Sequence, residues 1–268
     1  MTTESELAGA AWRRDLIQSL IRERHFVRVA ELSEHFRVSV VTIRSDLDAL
    51  EQSGVVRRIR GGAIPVEALS AELRERPFEQ AQIDAFAAKE RIAHAAVDLI
   101  ESGMSVLLDV GTTTAAVARE IVRRESLIDL TVITNGLAIA LSLEQAIPRI
   151  QVVVTGGTLR PLQHSLVAPM AHSVLESVRV DLAVIGCNGV DGESGVTNIN
   201  VPEAEIKTAM ARAASQVVVV ADSTKMGRVL LGRVMSLEEV DVLITDRGVD
   251  PSVLAEVRTV PALRTITV

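Results

Sequence analysis

Residues 39–62 read SVVTIRSDLDALEQSGVVRRIRGG, and the first half of this stretch has the pattern of a capped helix. Ser39 is a residue type that caps helix N-termini, because its hydroxyl accepts a hydrogen bond from an amide of the first turn. An apolar face follows at helical spacing, formed by Val40, Ile43, Leu47 and Leu50. Gly54 suits the position just beyond the last turn. We therefore predict a helix over residues 39–53.

A basic strand and a glycine turn follow this helix. Val55–Arg60 carries three arginines, and the pair Gly61-Gly62 can adopt the positive φ of a hairpin turn. A strand hairpin in this position, behind a helix, is the arrangement called a β-wing. The second half of the stretch therefore predicts a basic wing.

Two more amphipathic helices are expected upstream. Ala11–Arg24 places Leu16, Ile17, Leu20 and Ile21 on one face, and the shorter Val29–Phe36 does the same with Ala30, Leu32 and Phe36. Only the turn 37–39 separates the second of them from the capped helix, as in a helix-turn-helix. Residues 1–64 are therefore expected to form a winged helix-turn-helix DNA-binding domain. A generic three-helix domain that binds protein is the alternative interpretation.

Charge is distributed unevenly along the chain. The whole sequence has 28 basic and 35 acidic residues, which is a formal net charge of −7. Residues 1–65 hold 10 arginines and 9 acids, whereas the rest of the chain holds 18 basic and 26 acidic side chains. A positive end on an acidic chain fits phosphate contact that is confined to that end.

The capped helix is the one expected to enter the major groove, where short polar and arginine side chains reach base edges. The predicted DNA contacts are Ser39, Val41, Thr42, Arg44 and Ser45 on the helix, and Arg57, Arg58 and Arg60 on the wing. Aromatic residues make up only 2% of the chain and tyrosine is absent, so base stacking on single strands is not expected. The expected partner is double-stranded operator DNA.

The rest of the composition bounds the class of protein. The single cysteine excludes a disulfide framework, and no apolar run approaches the length of a membrane helix. A cytoplasmic protein is expected. The five histidines show no metal-ligand spacing, so neither a metal nor a cofactor is expected. Residues 65–77 are interpreted as a linker, and residues 78–268 as a second domain that begins with a long helix over Phe78–Ser102.

The second domain alternates between short apolar runs and helical patterns. The runs are Ser105–Leu108, Leu130–Ile133, Gln151–Val154, Leu182–Ile185, Gln216–Val220, Val242–Ile244 and Arg264–Val268. Strands that are apolar on both faces and separated by helices predict an α/β fold with a mainly parallel sheet. The first six runs end in polar or glycine residues. Since ligands of open α/β sheets bind at the carboxyl ends of strands, these loops are expected to converge on one rim.

Two features of these loops point to an anionic ligand. Gly111-Thr112-Thr113-Thr114 follows a strand and opens a helix, as a phosphate cradle does, although an ordinary strand–helix turn is the simpler interpretation. The chain also has 25 arginines but only three lysines, at positions 89, 207 and 225. Lys207 and Lys225 lie in the loop region, where a compact ammonium suits a phosphate. Chance placement of two surface lysines is the alternative.

The N-terminal pattern resembles the DeoR family of bacterial transcriptional regulators. The matching residues are Arg13, Ile17, Ile21, Ser39, Thr42, Ile43, Arg44, Asp46 and Leu47. The sequence departs from the family at Ser45, where a basic or amide residue is common, and at Arg60, where the wing often has histidine. The operator sequence therefore cannot be carried over from relatives.

Residues 89–246 resemble the C-terminal sensor domain of the same family, which shares its fold with ribose-5-phosphate isomerase A and the CoA transferases. The motifs are D-x-G-T-T from Asp109, T-N-G from Thr134, the pair Gly156-Gly157, E-A-x-x-K from Glu203 and A-D-x-T-K from Ala221. The resemblance implies a repressor, dimeric or tetrameric, that is controlled by a phosphorylated sugar or polyol. The expected effector-binding residues are Asp109, Gly111, Thr112, Thr113, Thr114, Asn135, Gly136, Asn188, Glu203, Lys207, Asp222 and Lys225.

One departure bears on catalysis. The isomerases carry D-G-A-D-E after the central strand, whereas residues 186–191 here read GCNGVD. Asn188 replaces the first carboxylate and cannot act as a general acid or base. A regulator without enzymatic activity is therefore expected. A sugar-phosphate isomerase with a DNA-binding appendage, and an α/β domain that only oligomerises, are the alternatives.

Overall fold

The computed structural model describes residues 3–24, 27–53, 55–59, 62–65 and 75–268. The chain divides into two compact units, Met1–Arg74 and Glu75–Val268. Each has its own hydrophobic core.

The first unit is built from three helices and a small sheet. Its elements are α1 Thr3–Arg24, β1 Val27–Arg28, α2 Val29–Phe36, α3 Val40–Gln52, β2 Val56–Ile59 and β3 Gly62–Pro65. The strands form an antiparallel sheet in the order β1-β3-β2. The predicted helices α2 and α3 are present, whereas α1 begins at Thr3 rather than Ala11. The short strand β1 was not predicted, because two residues carry no readable periodicity.

The core of the first unit is aliphatic. It contains Ile17, Ile21, Val27, Leu32, Ile43, Leu47, Leu50, Val56 and Ala63. Two predicted core residues are corrected: Leu16 is 37% exposed and Val40 is 39% exposed. Neither side chain belongs to the core of this unit. Ala30 is also exposed, and Phe36 is only partly buried.

The hairpin of the first unit is shifted slightly from its predicted position. Gly62, predicted in the turn, is the first residue of β3 and pairs with Ile59 of β2. Gly54, Arg60 and Gly61 lie outside the described residues. Because Gly62 pairs with Ile59, it belongs to the strand and not to the hairpin turn.

The second unit contains seven helices of four or more residues and twelve strands within residues 75–268. The helices are α4 Phe78–Ile83, α5 Phe86–Val97, α6 Thr112–Arg123, α7 Leu137–Leu143, α8 Met170–Ser177, α9 Val201–Ala213 and α10 Pro251–Val257. The strands are β4 Ser105–Leu108, β5 Leu130–Thr134, β6 Ile150–Val154, β7 Thr158–Arg160, β8 Ser165–Val167, β9 Val180–Gly186, β10 Gly189–Asp191, β11 Gly195–Asn198, β12 Ala214–Val220, β13 Gly232–Met235, β14 Val242–Thr245 and β15 Arg264–Thr267.

Seven of these strands form one parallel sheet in the order β15-β14-β12-β9-β4-β5-β6. They correspond to the seven predicted apolar runs. Alternate residues enter two separate cores: Val106 and Leu108 of β4 pack in one, and Leu107 packs in the other. Both faces of the sheet are thus covered, which is why its strands show no polar alternation. The α/β architecture is confirmed.

Two features of this unit differ from prediction. The helix expected over residues 78–102 is divided into α4 and α5, because Ala85 adopts a left-handed conformation with φ of 50°. Two small antiparallel sheets, β7-β8 and β10-β11-β13, were not predicted as strands. They lie along the chain between strands of the main sheet. Each of their strands has only three or four residues, which is too short for an alternating pattern to be recognised in the sequence.

Candidate functional site

The first candidate surface is the start of α3. The hydroxyl of Ser39 accepts a hydrogen bond from the Thr42 amide at 3.1 Å, and the two hydroxyl oxygens lie 2.9 Å apart. The cap predicted at Ser39 is therefore present. Of the predicted contact residues, Ser39, Val41, Arg44 and Ser45 are exposed and Thr42 is half-buried. Arg57 and Arg58 lie in β2, and Arg60 falls outside the described residues.

Val41 differs from the other predicted contacts because its side chain is aliphatic and yet 74% exposed. An exposed aliphatic group beside Arg44 can contact the methyl group of thymine, while arginine pairs with the edge of guanine. The first two turns of α3 thus expose an aliphatic side chain, Val41, and a guanidinium group, Arg44, three positions apart. That is a combination suited to reading base edges.

Asp46 has a different position from its neighbours. It is buried, and its carboxylate accepts a hydrogen bond from Arg13 Nε at 2.6 Å. The pair joins α3 to α1, so these two motif residues hold the helix in place. We attribute their presence in the motif to orientation of the helix.

The second candidate surface lies at the carboxyl ends of the four central strands. Asp109–Thr114 follow β4, Asn135 and Gly136 follow β5, Asn188 follows β9, and Asp222 precedes a short 3-10 turn after β12 that contains Lys225. Because β12, β9, β4 and β5 are consecutive in the sheet, these segments share one edge of it. We call this edge the rim.

An ion pair occupies the centre of the rim. Asp109 is fully buried, and its Oδ2 accepts hydrogen bonds from Lys207 Nζ and from the Gly186 amide, the latter at 3.1 Å. Its other oxygen, Oδ1, is buried and has no hydrogen-bond partner among the described residues. Lys207 reaches Asp109 from α9, which is capped by Asn200 accepting from the Glu203 amide at 3.0 Å. Glu203 and Lys207 are one turn apart on the buried face of that helix.

The charges of this pair are set by burial and by each other. Burial raises the pKa of Asp109 to about 6, although the Lys207 ammonium opposes that rise. For Lys207, burial disfavours the charge, but the carboxylates of Asp109 and Glu203 outweigh it and raise the pKa above its usual value. Near neutral pH the rim therefore contains an ionised pair with one unsatisfied carboxylate oxygen.

The threonine turn is the next part of the rim. Gly111 has φ of 146°, and a side chain there would approach Thr114 Oγ1 to 3.2 Å. Thr114 is buried and donates its hydroxyl hydrogen to the Gly111 carbonyl at 3.0 Å, so this hydroxyl stabilises the turn. In this structure the Thr114 hydroxyl is thus engaged within the turn, and its predicted phosphate contact stays a prediction. Thr112 is half-buried, and first-turn amides of a helix have no intrahelical acceptor.

Asn135 links the loops of the rim. Its Oδ1 accepts from the Val110 amide at 2.9 Å, and its Nδ2 donates to the Leu166 carbonyl at 3.2 Å. The side chain is buried, and these two bonds hold the loops together; its predicted contact with ligand hydroxyl groups stays a prediction. Asn188 is half-buried and accepts from the Ile199 amide at 3.1 Å. The Gly136 amide donates to Thr134 Oγ1 at 3.0 Å.

Lys225 is the accessible cation of the rim. Its side chain is half-buried, and within the described part of the chain its ammonium has no hydrogen-bond or ion-pair partner. Asp222 caps the turn that carries it, accepting from the Thr224 amide at 3.0 Å. The charges of Lys225, Lys207, Asp222 and Asp109 all act on the thiol of Cys187, whose pKa burial raises to about 12.

Four residues near the rim were not selected from the sequence. Lys89 is buried, and its ammonium donates a hydrogen bond to the Ala81 carbonyl at 2.7 Å. Burial lowers the pKa of Lys89, and the nearby Asp222 carboxylate opposes that lowering. Arg160 and Ser165 bind Glu203, and Arg160 also binds Glu75. The scarcity of lysine pointed to Lys89. No sequence signal marked the others, since β7 and β8 are brought to Glu203 only by the tertiary fold.

Among the described residues, no group of three or more histidine, cysteine, aspartate or glutamate side chains could hold a metal ion. No helix in the described ranges is long and apolar enough to cross a membrane.

Comparison with known proteins gives the class of this chain. The model of the DeoR-like helix-turn-helix domain matches residues 13–68, and that of the DeoR C-terminal sensor domain matches residues 84–247. The chain belongs to the DeoR family of DNA-binding transcriptional regulators. The expectation from its motifs is confirmed.

Two relatives and one solved structure illustrate the similarity. The chain is 37% identical to the HTH-type transcriptional regulator GlpR of Haloferax volcanii, covering 90% of this chain and 91% of that protein. It is 28% identical to the glycerol-3-phosphate regulon repressor of Escherichia coli, covering 90% and 93%. Ribose 5-phosphate isomerase A of Methanocaldococcus jannaschii matches at 22% identity and a TM-score of 0.38, covering 51% of this chain and 52% of the isomerase. The two relatives are named as regulators.

Proposed function

We propose that this protein is a repressor of a carbohydrate-metabolism operon whose rim binds a phosphorylated sugar or polyol. The carrying observation is where the three lysines of an arginine-rich chain lie: Lys207 pairs with Asp109, Lys225 follows Asp222 in the turn after β12, and the charges of Asp222 and Lys225 both act on Lys89. A cluster of ammonium groups beside a helix N-terminus suits a phosphate. The regulon named for the Escherichia coli relative is consistent with such an effector.

The unsatisfied oxygen of Asp109 supports the proposal that the ligand carries hydroxyl groups as well as a phosphate. A buried carboxylate oxygen without a partner favours a ligand that brings a hydrogen-bond donor. Hydroxyl groups of a sugar or polyol are such donors. We therefore assign the phosphate to Lys225, Thr112, Thr113 and the amides after Gly111, and the hydroxyl groups to Asp109, Asn188 and Asp222. Lys207 and Glu203 shape the charge of the site, while Asn135, Gly136 and Thr114 maintain its loops.

Titration calorimetry with glycerol 3-phosphate, glycerol and inorganic phosphate tests this ligand class. We expect glycerol 3-phosphate to bind. Glycerol should bind at least tenfold more weakly, because loss of one charge-assisted contact costs about 1.5 kcal/mol or more. Equal affinity for glycerol and its phosphate would contradict a phosphate site. A response to inorganic phosphate alone would contradict the hydroxyl contacts.

The rim is proposed to bind its ligand without converting it. Asn188 lies where the isomerase motif has a carboxylate, and its Oδ1 is already hydrogen-bonded to the Ile199 amide. Incubation with ribose 5-phosphate is therefore expected to yield no ribulose 5-phosphate. Turnover above that of buffer would support the isomerase alternative.

DNA binding is proposed to involve at least two copies of the chain, as a dimer or tetramer, because helix-turn-helix proteins commonly read repeated half-sites. Light scattering of the free protein measures the oligomeric state. An operator can be obtained by selecting duplexes from a random library with the full-length protein. A selected sequence without repeated half-sites, or a monomer in solution, would contradict this assembly.

Arg44→Ala should weaken binding of the selected operator by about 1–3 kcal/mol while leaving binding of random duplex nearly unchanged. The reason is that Arg44 is exposed on the first two turns of α3, beside the equally exposed Val41. Arg258→Ala removes the same charge from an exposed position in the second unit and is the control. Fluorescence anisotropy at two salt concentrations measures both. Wild-type operator affinity in Arg44→Ala would show that this face of α3 does not read bases.

A further inference from the structure

The first residues of the second unit are bound to a loop beside the rim. We call residues 75–83 the strap; it begins with Glu75, directly after the first unit ends at Arg74. The Phe78 amide donates to the Leu162 carbonyl at 2.9 Å, and Gln163 Nε2 donates to the Arg76 carbonyl at 2.5 Å. His164 Nε2 lies 2.7 Å from the Glu79 carboxylate. The strap is therefore held by the β7–β8 loop.

One side chain joins that loop, the strap and the rim. Arg160, at the end of β7, contacts Glu75 with both of its terminal nitrogens, at 3.3 and 2.5 Å. The same guanidinium contacts Glu203 Oε1, which also accepts from Ser165 Oγ at 2.5 Å. The three charged side chains are only 20%, 12% and 5% exposed for Arg160, Glu75 and Glu203. Such a partly buried, bidentate arrangement has defined geometry, unlike a fully exposed ion pair.

Glu203 connects this arrangement to the ligand site. It lies one turn before Lys207 on α9, and its charge acts on both Asp109 and Lys207. A ligand that contacts Asp109 or Lys207 changes the electrostatic balance that holds Glu203 on Arg160. Any movement of Glu203 leaves Arg160 with Glu75 as its remaining carboxylate partner in the described residues. The position of the strap thus depends on what happens in the rim.

We propose that Arg160 is a positioning residue that couples occupancy of the rim to the strap, through Glu203 on one side and Glu75 on the other. This inference rests on the proposed function, since it concerns how effector binding reaches the DNA-binding unit. Coupling requires two states that the ligand distinguishes. In one state Glu203 is held by Arg160 and Ser165, so the Arg160–Glu75 pair of the strap is anchored to α9. In the other state Glu203 turns toward the ligand, and the strap keeps its pair with Arg160 but loses that anchor to α9. Couplings of this kind typically change affinity by about 5-fold to 150-fold.

Hydrogen exchange tests the link without any ligand. We compare the full-length wild type with Glu203→Gln, Glu75→Gln and Arg76→Gln, and measure exchange in peptides that cover the strap. Glu203→Gln lies in the rim, yet it should raise exchange of the strap about 5-fold or more, as should Glu75→Gln. Arg76→Gln is the matched control: it removes the neighbouring Arg76–Asp84 pair, which is exposed on both sides, and should change exchange by less than about twofold.

The second arm measures transmission to DNA. In wild type, glycerol 3-phosphate should change the affinity for the selected operator by a measurable factor. In Glu75→Gln that factor should be smaller by about 5-fold or more, while calorimetry shows that the variant still binds glycerol 3-phosphate. Arg160→Lys, which keeps the charge but loses the bidentate contact, should show the same loss. Wild-type strap exchange in Glu203→Gln, or wild-type release in Glu75→Gln, would overturn the proposal. Failure of wild type to bind glycerol 3-phosphate would instead count against the proposed ligand, and the exchange arm would still decide the role of Arg160.

Discussion

Lys207→Met should destabilise the second unit by about 3–5 kcal/mol at pH 7.5, because it leaves the buried carboxylate of Asp109 without its counter-charge. Asp109 has no exposed surface, and one of its oxygens already lacks a partner among the described residues. Removing both charges together avoids this problem. We therefore expect the double variant Lys207→Met, Asp109→Asn to be more stable than the single variant.

The loss in Lys207→Met should also depend on pH. Burial already raises the pKa of Asp109 to about 6 with Lys207 present, and removal of the ammonium raises it further. The folded variant then retains a proton that the unfolded chain releases above about pH 4, so its stability falls as the pH rises. We expect a smaller difference from wild type at pH 5 than at pH 8.

Lys89→Met is the matched control for this experiment. Lys89 is also a buried lysine, but its ammonium donates to the Ala81 carbonyl and is in ion-pair contact with no carboxylate in the described residues. Its replacement should cost only about 0.5–1.5 kcal/mol, the value of one hydrogen bond. Urea unfolding followed by circular dichroism measures the loss, while fluorescence of Trp12, the single tryptophan, reports the first unit. Equal losses in the two variants would contradict the importance of the Asp109–Lys207 pair.

Lys225→Ala should abolish the response to effector while operator binding remains intact, so that the protein represses but is not released. Lys225 is the half-buried cation of the rim whose ammonium is unpaired within the described residues, and truncating one partner of a desolvated charge pair costs about 2–5 kcal/mol. Affinity for a phosphorylated ligand should fall roughly 30-fold or more. Because the Lys225 ammonium has no hydrogen-bond or ion-pair partner among the described residues, its removal should affect the fold little.

Arg247→Ala is the control for Lys225→Ala. Arg247 is an exposed cation that follows β14, at the same edge of the sheet but two strands away from β9. Its loss should change ligand affinity little, since exposed charges are screened by solvent and salt. Calorimetry with glycerol 3-phosphate and anisotropy with selected operator measure the two functions separately. Unchanged ligand affinity in Lys225→Ala, or an equal loss in Arg247→Ala, would exclude a specific phosphate contact of Lys225.

Much of the architecture could be predicted because it depends on local patterns. The cap at Ser39 and the spacing of Ile43, Leu47 and Leu50 specify a helix through contacts within a few residues. The seven apolar runs likewise specify buried strands, and all seven lie in one parallel sheet. The motifs at Asp109 and Glu203 predicted the family, which the comparisons confirm.

The roles of individual polar residues could not be predicted in this way. Thr114 and Asn135 were predicted as effector contacts, and in the structure both are buried and hydrogen-bonded within the protein. Whether such a side chain faces a ligand or a neighbouring loop depends on which segments pack beside it. That information lies in contacts between residues far apart along the chain.

The sequence by itself determined the helices of the first unit, the seven strands of the main sheet and the family, because caps, periodicity and motif spacing are local. Only the tertiary structure decided which polar groups meet. It brought Lys207 to Asp109 across 98 positions of sequence, and Arg160 between Glu75 and Glu203, 85 positions earlier and 43 later. The physical reason is that burial and charge pairing arise from packing of the sheet, its loops and α9, and no local pattern records them.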